Sequence, residues 1–153
     1  MAANKERESD SRTGRLSVGL DVGSSFVHCA VLDATGTILY CPEPIMHFAN
    51  PLGAIAEAWR DIIGRFDPAR IQSTALTGSA AESFPRVLPG ALYVYDSVAI
   101  PKGVELTAPT AKYVFHIGAK DAYFFHLGMT GERKIISEWR TGTKCGGGSG
   151  MLV

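Results

Sequence analysis

The hydrophobic and polar positions at the start of the chain predict a β-meander. Two apolar runs, residues 16–22 and 26–32, are followed by a shorter third run at residues 37–40, and glycine-containing turns separate the three. Short β-rich runs joined by such turns are typical of antiparallel strands. The first run carries a single acid, Asp21, near its end.

The pattern then changes to the period of a helix. Asn50 is a good N-cap, and Pro51 suits the first helical position. The apolar residues that follow recur at spacings of three and four, which places them on one helix face: Leu52, Ile55, Trp59, Ile62 and Phe66. Asp67 and Pro68 end this pattern.

Beyond the helix, IQSTAL at residues 71–76 and the short apolar run LYVY at residues 92–95 predict two further strands. Asp96 can cap a second helix, which Pro101 and Gly103 are expected to keep short or kinked. The mixture of strands and helices predicts an α/β domain with a partly antiparallel sheet.

A second meander repeats the opening one. Its strands are predicted at residues 113–117, 122–127 and 133–137, and its first turn again holds small residues and an acid, Asp121. Such an internal repeat suggests two similar sheets facing one another, with both turns directed at a shared cleft.

The residue types of the first turn point to phosphate binding. Gly23, Ser24 and Ser25 are small residues whose backbone N–H groups can surround a phosphate, while Asp21 can bind a cation. The alternative is that Asp21 is a solvated strand-end acid that stabilises the turn. The glycines and serines around it favour phosphate binding.

A glycine-rich loop near the end of the sequence is a second candidate anion site. It reads TGTKCGGGSG, and it contains Cys145, Gly148 and Gly150 ahead of an apparent helix start. Because the sequence ends at Val153 within that apparent helix, we expect a part of a larger protein. No second cysteine stands at C-x-x-C spacing, so the residues alone favour an ordinary loop thiol for Cys145.

Composition argues against several classes of function. The chain has 153 residues, and its 15 basic residues balance 15 acidic ones, which gives no indication of a nucleic-acid or anionic-membrane surface. No apolar run approaches the roughly 20 residues needed to span a bilayer. The polar N-terminus lacks the apolar core of a signal peptide, so we expect a cytoplasmic location, with residues 1–14 as a flexible tail.

Three motifs, in this order, carry a family resemblance. GLDVGSS resembles the first phosphate motif of the actin, heat-shock chaperone and sugar-kinase ATPase superfamily, and HIGAKDAY is similar to its second. TGTKCGGGSG resembles the cysteine loop of one branch, the BadF/BadG/BcrA/BcrD-type ATPases. That branch includes activators of 2-hydroxyacyl-CoA dehydratases and subunits of benzoyl-CoA reductase.

The resemblance implies a fold and a mechanism. Residues 15–110 would form a ribonuclease-H-like, actin-like ATPase lobe with a mixed sheet, and residues 111–153 would start a similar, apparently truncated second lobe. In the family, two lobes close on Mg-ATP and two subunits share a [4Fe-4S] cluster. ATP hydrolysis then sends a low-potential electron to an acyl-CoA dehydratase or reductase component. A homodimer is implied for the complete protein, and this chain alone would be inactive.

Site residues follow from the same resemblance. Asp21 and Asp121 would be catalytic, and Asp21 would also orient the magnesium ion. The cofactor-binding positions are small or polar residues of three turns: Gly23, Ser24, Ser25, Gly118, Ala119, Lys120, Gly148 and Gly150. Cys145 would ligate the iron–sulfur cluster, since thiolates are the usual protein ligands of such clusters.

Departures from the family pattern leave alternatives open. His116 stands where the second motif commonly has an acid, so one carboxylate near the magnesium is missing. This favours a degenerate lobe that binds a nucleotide or a partner without hydrolysis. A small-molecule (sugar) kinase of the same superfamily is the third hypothesis, which Cys145 disfavours.

Overall fold

The structure, a computed structural model, describes residues 14–84, 88, 90–118, 122–131 and 133–142. These residues belong to two compact units, the first ending at Tyr93 and the second beginning at Val94. No helix in the described ranges is long and apolar enough to cross a membrane. Of the predicted flexible tail, residues 1–13 lie outside the described residues. The Gly14 carbonyl accepts a hydrogen bond from Arg70 Nε at 2.9 Å.

The first unit is built on a mixed sheet. Its strands in the described ranges are β1 (Leu16–Val22), β2 (Phe26–Asp33), β3 (Ile38–Tyr40), β4 (Ile45–Met46), β5 (Ile71–Thr77) and β6 (Leu92–Tyr93). Their order is β3-β2-β1-β5-β6, and β4 also pairs with β2. Because β1 runs parallel to β5, both strands end at the same edge of the sheet, where Asp21 lies level with Thr77.

Helix α1 (Pro51–Arg65) packs against this sheet. Asn50 caps it as predicted, because Asn50 Oδ1 accepts a hydrogen bond from the Gly53 N–H at 3.1 Å. Its apolar face joins alternate strand residues in one core, whose members include Leu16, Leu20, Val22, Val27, Val31, Ala54, Ile55, Ala58, Ile62 and Leu76. Successive strand residues point to opposite faces of a sheet. Since Leu20 and Val22 point into the core, Asp21 lies on the other face of β1.

The second unit consists of helix α2 (Asp96–Thr107) and an antiparallel sheet. The sheet order is β7-β8-β9, with β7 (Tyr113–Ile117), β8 (Ala122–Thr130) and β9 (Arg133–Thr141). These strands confirm the predicted second meander, and β8 and β9 extend beyond their predicted ends. Phe125 and Leu127 are buried in this unit. On β7, the alternate side chains of Tyr113, Phe115 and Ile117 are exposed.

Two elements differ from their predictions. Helix α2 runs for 12 residues with Pro101 inside it, so it is not short, and its N-cap is Tyr95 rather than the predicted Asp96. An internal proline removes one hydrogen bond of the helix ladder, and the remaining turns are formed nevertheless. Strand β4 was not predicted, because two residues next to Pro44 show no periodicity. The mixed sheet and its helix confirm the predicted α/β class.

Candidate functional site

Asp21 lies at the edge of the sheet where two parallel strands end. It pairs with His28 of β2 and is level with Thr77 of β5. Its side chain is half-buried. In open α/β sheets, ligands bind in the crevice outside the carboxyl ends of parallel strands. Asp21 and the turns beside it therefore occupy the part of this unit where a ligand is expected.

A second small-residue turn, residues 77–79, lies against the Asp21 turn. Its Gly78 has a φ of +98°, in the region that favours glycine. A Cβ added to Gly78 would collide with Asp21 Oδ1 and with the carbonyl group of Val22. That carbonyl also accepts a hydrogen bond from the Ala80 N–H at 3.0 Å. Backbone and side-chain contacts thus join the two turns.

Gly78 is a site residue that the sequence-based prediction missed. The strand at residues 71–76 is predicted from the sequence, but the turn that follows it is given no role there. The signal that identifies it is a strand followed by Thr-Gly-Ser, which resembles the Asp21 run followed by Gly-Ser-Ser.

The N–H groups of the first turn are not equivalent. The Gly23 N–H donates to the Phe26 carbonyl at 2.9 Å, so it closes the hairpin. Within the described part of the chain, neither the N–H nor the hydroxyl group of Ser24 or Ser25 makes a hydrogen bond. Ser24 is exposed and Ser25 is half-buried. Ser24 and Ser25, rather than Gly23, therefore have donors available for an anion.

His47 is the second residue that sequence reasoning missed. It follows β4, is only 8% exposed, and places its Nε2 3.2 Å from the Gly23 carbonyl oxygen. Its backbone N–H donates to the Ser25 carbonyl at 3.0 Å. No signal in the sequence distinguishes His47, because its contacts depend on β4 pairing with β2.

The remaining predicted site residues lie in or near the second unit and the C-terminal loop. Gly118 follows β7 and is half-buried. The other predicted positions lie outside the described residues: Ala119, Lys120, Asp121, Cys145, Gly148 and Gly150. His116 lies in β7, and its ring is tilted against that of Tyr123 with 5.9 Å between centroids.

The described residues contain no group of three or more His, Cys, Asp and Glu side chains that would hold a metal ion unaided. Cys29 is buried in β2, and burial raises the pKa of its thiol above the ordinary value of 9.0. Cys41 is exposed. A buried thiol with a raised pKa is inert, so Cys29 is a core residue and is unsuited to metal ligation.

Two other carboxyl groups of the first unit have lowered pKa values. The Thr35 hydroxyl, with the backbone N–H of Thr37, lowers the pKa of Asp33 in the hairpin between β2 and β3. Hydrogen bonds from Tyr40 and then Arg65 lower the pKa of Asp61 on α1. These interactions stabilise a turn and the attachment of α1, and neither acid lies at the edge that holds Asp21.

No known family description matches the chain, and no curated protein does either. Solved structures do. Over 86% of this chain and 48% of the other, it superposes on (R)-2-hydroxyglutaryl-CoA dehydratase component A from Acidaminococcus fermentans, with a TM-score of 0.68 and 19% identity. The chain also superposes on the activator of the 2-hydroxyisocaproyl-CoA dehydratase from Clostridium difficile, solved with bound ADPNP. The TM-score is 0.66 and the sequence identity is 18%, over 83% of this chain and 45% of the other.

An exopolyphosphatase from Cytophaga hutchinsonii is also similar, with a TM-score of 0.60 and 13% identity over 90% of this chain and 52% of that one. At such identities the likeness shows the fold. It confirms the predicted class, an actin-like ATPase fold with a mixed sheet, of which a part is present. The chain spans about half the length of these three proteins.

Proposed function

We propose that the chain binds the phosphates of ATP at the turn that follows Asp21, as the ATPase domain of an activase. The observation that carries the proposal is the arrangement at the carboxyl ends of β1 and β5. There the Asp21 carboxylate lies beside a turn in which Ser24 and Ser25 have N–H groups without hydrogen bonds among the described residues. Backbone N–H groups and a carboxylate are the groups that bind phosphates together with a cation.

Magnesium fits this donor set. Mg²⁺ usually keeps several waters and is bound through one or two carboxylates plus the phosphates of the substrate. A single half-buried carboxylate is therefore sufficient on the protein side, and Asp21 would supply it. The ion would neutralise phosphate charge, while the Ser24 and Ser25 donors would fix the position of the phosphates.

The activase part of the proposal has two supports. The fold is shared with component A of a 2-hydroxyglutaryl-CoA dehydratase and with the activator of a 2-hydroxyisocaproyl-CoA dehydratase, which was solved with ADPNP. The sequence also contains TGTKCGGGSG, which resembles the cysteine loop of the activases. On this basis the complete protein is a homodimer that couples ATP turnover to electron transfer, through a [4Fe-4S] cluster held by Cys145, to an acyl-CoA dehydratase or reductase. By the same resemblance, Gly118, Ala119, Lys120 and Asp121 of the second phosphate motif would contribute to nucleotide binding, as would Gly148 and Gly150.

A second candidate function is nucleotide binding without hydrolysis. His116 favours it, because this histidine replaces an acid of the second phosphate motif. Its ring lies against Tyr123, as an ordinary half-buried strand residue does. Binding and turnover therefore have to be measured separately.

The test is calorimetric titration of the 153-residue chain with ADPNP, with and without Mg²⁺. Asp21→Asn removes the carboxylate charge and is expected to weaken binding in Mg²⁺ by about ten- to a hundredfold, the range for losing one charged contact. Omission of Mg²⁺ should lower the affinity of the wild-type chain for ADPNP by a similar factor. It should hardly change the affinity of Asp21→Asn. The matched control is Glu57→Gln, which removes one exposed carboxylate charge from α1 and should leave the affinity unchanged.

Equal affinities of the wild-type chain and Asp21→Asn would contradict a nucleotide site at this turn. If the wild-type chain binds, phosphate release from ATP by the complete dimer separates the two candidates. Release that is lost in Asp21→Asn supports the activase, and binding with no release supports the non-hydrolysing lobe.

A further inference from the structure

His47 is fixed to the first turn and to the start of α1 by three different atoms. Its backbone N–H donates to the Ser25 carbonyl at 3.0 Å, and its own carbonyl accepts from the Asn50 N–H at 2.6 Å. Its Nε2 lies 3.2 Å from the Gly23 carbonyl oxygen. One buried residue therefore links the candidate phosphate turn to the capping residue of the helix.

The contact with Gly23 determines the tautomer of the ring. A carbonyl oxygen only accepts hydrogen bonds, so Nε2 must carry the proton and Nδ1 of the neutral ring is an acceptor. Nδ1 is buried and has no hydrogen-bond partner in the described ranges. A buried polar atom without a hydrogen-bond partner is destabilising. An apolar side chain of similar size would fill the same space without this unfavourable contribution. The stabilising contribution of an imidazole here is therefore the Nε2 contact.

That contact orients a donor of the turn. The structure has no cis peptide bond in its described ranges, and in a planar trans peptide the C=O and N–H groups point in opposite directions. With the Gly23 carbonyl directed at Nε2, the Ser24 N–H of the same peptide points away from His47. Ser24 is exposed and its N–H makes no hydrogen bond to the described residues. A flipped peptide would instead present the Gly23 carbonyl oxygen, which repels an anion.

The two residues that follow His47 have a strained backbone conformation. Phe48 and Ala49 have φ values of 44° and 64°, in the left-handed region that residues other than glycine rarely adopt. This tight turn brings the Asn50 N–H back to the His47 carbonyl. Such strain persists only where the surrounding contacts determine the conformation, and the backbone hydrogen bonds of His47 to Ser25 and Asn50 are the contacts next to this turn.

We propose that His47 is a positioning residue, which holds the Gly23–Ser24 peptide with its N–H outward so that the turn is ready for a phosphate. This inference rests on the proposed nucleotide binding at Asp21 and adds a role for a residue outside the turn. His47 itself does not touch the nucleotide. Its contribution is to prevent the peptide from flipping.

The test compares three variants that differ in where they place a donor. The amide nitrogen of His47→Gln is as many bonds from the backbone as Nε2 of the histidine. The amide nitrogen of His47→Asn is as many bonds from the backbone as Nδ1, and His47→Leu has no donor. The probe is ADPNP with Mg²⁺, measured by calorimetry beside the thermal midpoint of each variant. His47→Leu is expected to bind about five- to tenfold more weakly, the factor for one net hydrogen bond. His47→Gln should restore affinity, and His47→Asn should not.

A purely structural role would lower the thermal midpoint without this ordering of affinities. Wild-type affinity in His47→Leu overturns the proposal, and so do equal affinities in His47→Gln and His47→Asn. If His47→Leu does not fold, the comparison of His47→Gln with His47→Asn decides. A proton on Nδ1 instead of Nε2, seen in the ¹⁵N spectrum of the ring, also overturns it. If the wild-type chain binds no nucleotide, both proposals fall. If Asp21→Asn abolishes nucleotide binding and the His47 variants leave the affinity unchanged, only the proposed role of His47 is contradicted.

Discussion

The Asp21 carboxylate lies in the space that a side chain on Gly78 would need. A Cβ at Gly78 would collide with Asp21 Oδ1 and with the Val22 carbonyl group, and Gly78 also has a φ of +98°. The turn after β5 therefore packs directly on the acid at the end of β1. Glycine permits both the conformation and the close approach, so the geometry around Asp21 depends on a residue that carries no chemistry of its own.

Gly78→Ala is expected to disturb the site and to destabilise the first unit. The left-handed conformation alone costs about 1–2 kcal/mol for a residue with a Cβ, and the collision with backbone adds to it. The free energy of unfolding should therefore fall by at least about 1 kcal/mol, measured by urea denaturation. The displaced Asp21 should weaken Mg-ADPNP binding in calorimetry.

Gly64→Ala is the matched control for this substitution. Gly64 lies in α1, and a Cβ there would have no neighbour within 4 Å. Alanine is up to about 1 kcal/mol more favourable than glycine in a helix interior and less so in the last turn, where Gly64 lies, so this variant should be as stable as the wild-type chain or slightly more stable. If both variants unfold at the same urea concentration, the close approach at Gly78 does not constrain the turn.

The parts of the fold that local pattern determines could be predicted from the sequence. Strands β1 and β2 follow from runs of apolar residues between glycine turns, and α1 follows from its apolar stripe with Asn50 and Pro51 at its start. Asp21 could be selected because an acid at a strand end, just ahead of a Gly-Ser-Ser turn, is locally distinctive. Each of these features is contained within a few neighbouring residues.

The parts that depend on contacts between distant residues could not be predicted. The importance of Gly78 follows from the parallel pairing of β5 with β1, and that of His47 from the pairing of the two-residue β4 with β2. The Gly23 N–H was expected to be available for phosphate, yet it is used by the Phe26 carbonyl. Such information lies in strand pairing and turn geometry, which the order of residue types does not specify.

Ile62→Ala is expected to reduce the stability of the first unit without affecting the site. Ile62 is fully buried where α1 packs into the core, and truncating such a side chain to alanine costs about 2–5 kcal/mol. Its neighbour Ile63 is 37% exposed, so Ile63→Ala should cost clearly less. Urea denaturation of both variants measures the difference. Equal losses would mean that the face of α1 is assigned wrongly.

Tyr40 and Arg65 both hold the carboxylate of Asp61, and their contributions can be separated by titration. The Tyr40 hydroxyl donates to Asp61 Oδ2 at 2.5 Å and Arg65 Nε donates to Oδ1 at 3.0 Å. Both bonds favour the ionised form and lower the pKa of Asp61 below its ordinary value of 3.8, with the Tyr40 bond as the larger cause. We expect the pKa of Asp61 to rise towards 3.8 in Tyr40→Phe, and to rise by less in Arg65→Gln.

The same shift gives a pH dependence with a definite sign. Because the pKa of Asp61 is lower in the folded chain than in the unfolded one, the ionised carboxylate stabilises the fold above pH 3.8 and this stabilisation is lost as the pH falls through the folded value. The difference in thermal midpoint between the wild-type chain and Tyr40→Phe should therefore narrow in acid.

Carboxyl ¹³C titration by NMR gives the pKa values directly. Asp33 is the internal control, since its partners Thr35 and Thr37 are unchanged and its pKa should not move. An unaltered pKa of Asp61 in Tyr40→Phe would contradict the assignment of the Tyr40 bond as the main cause.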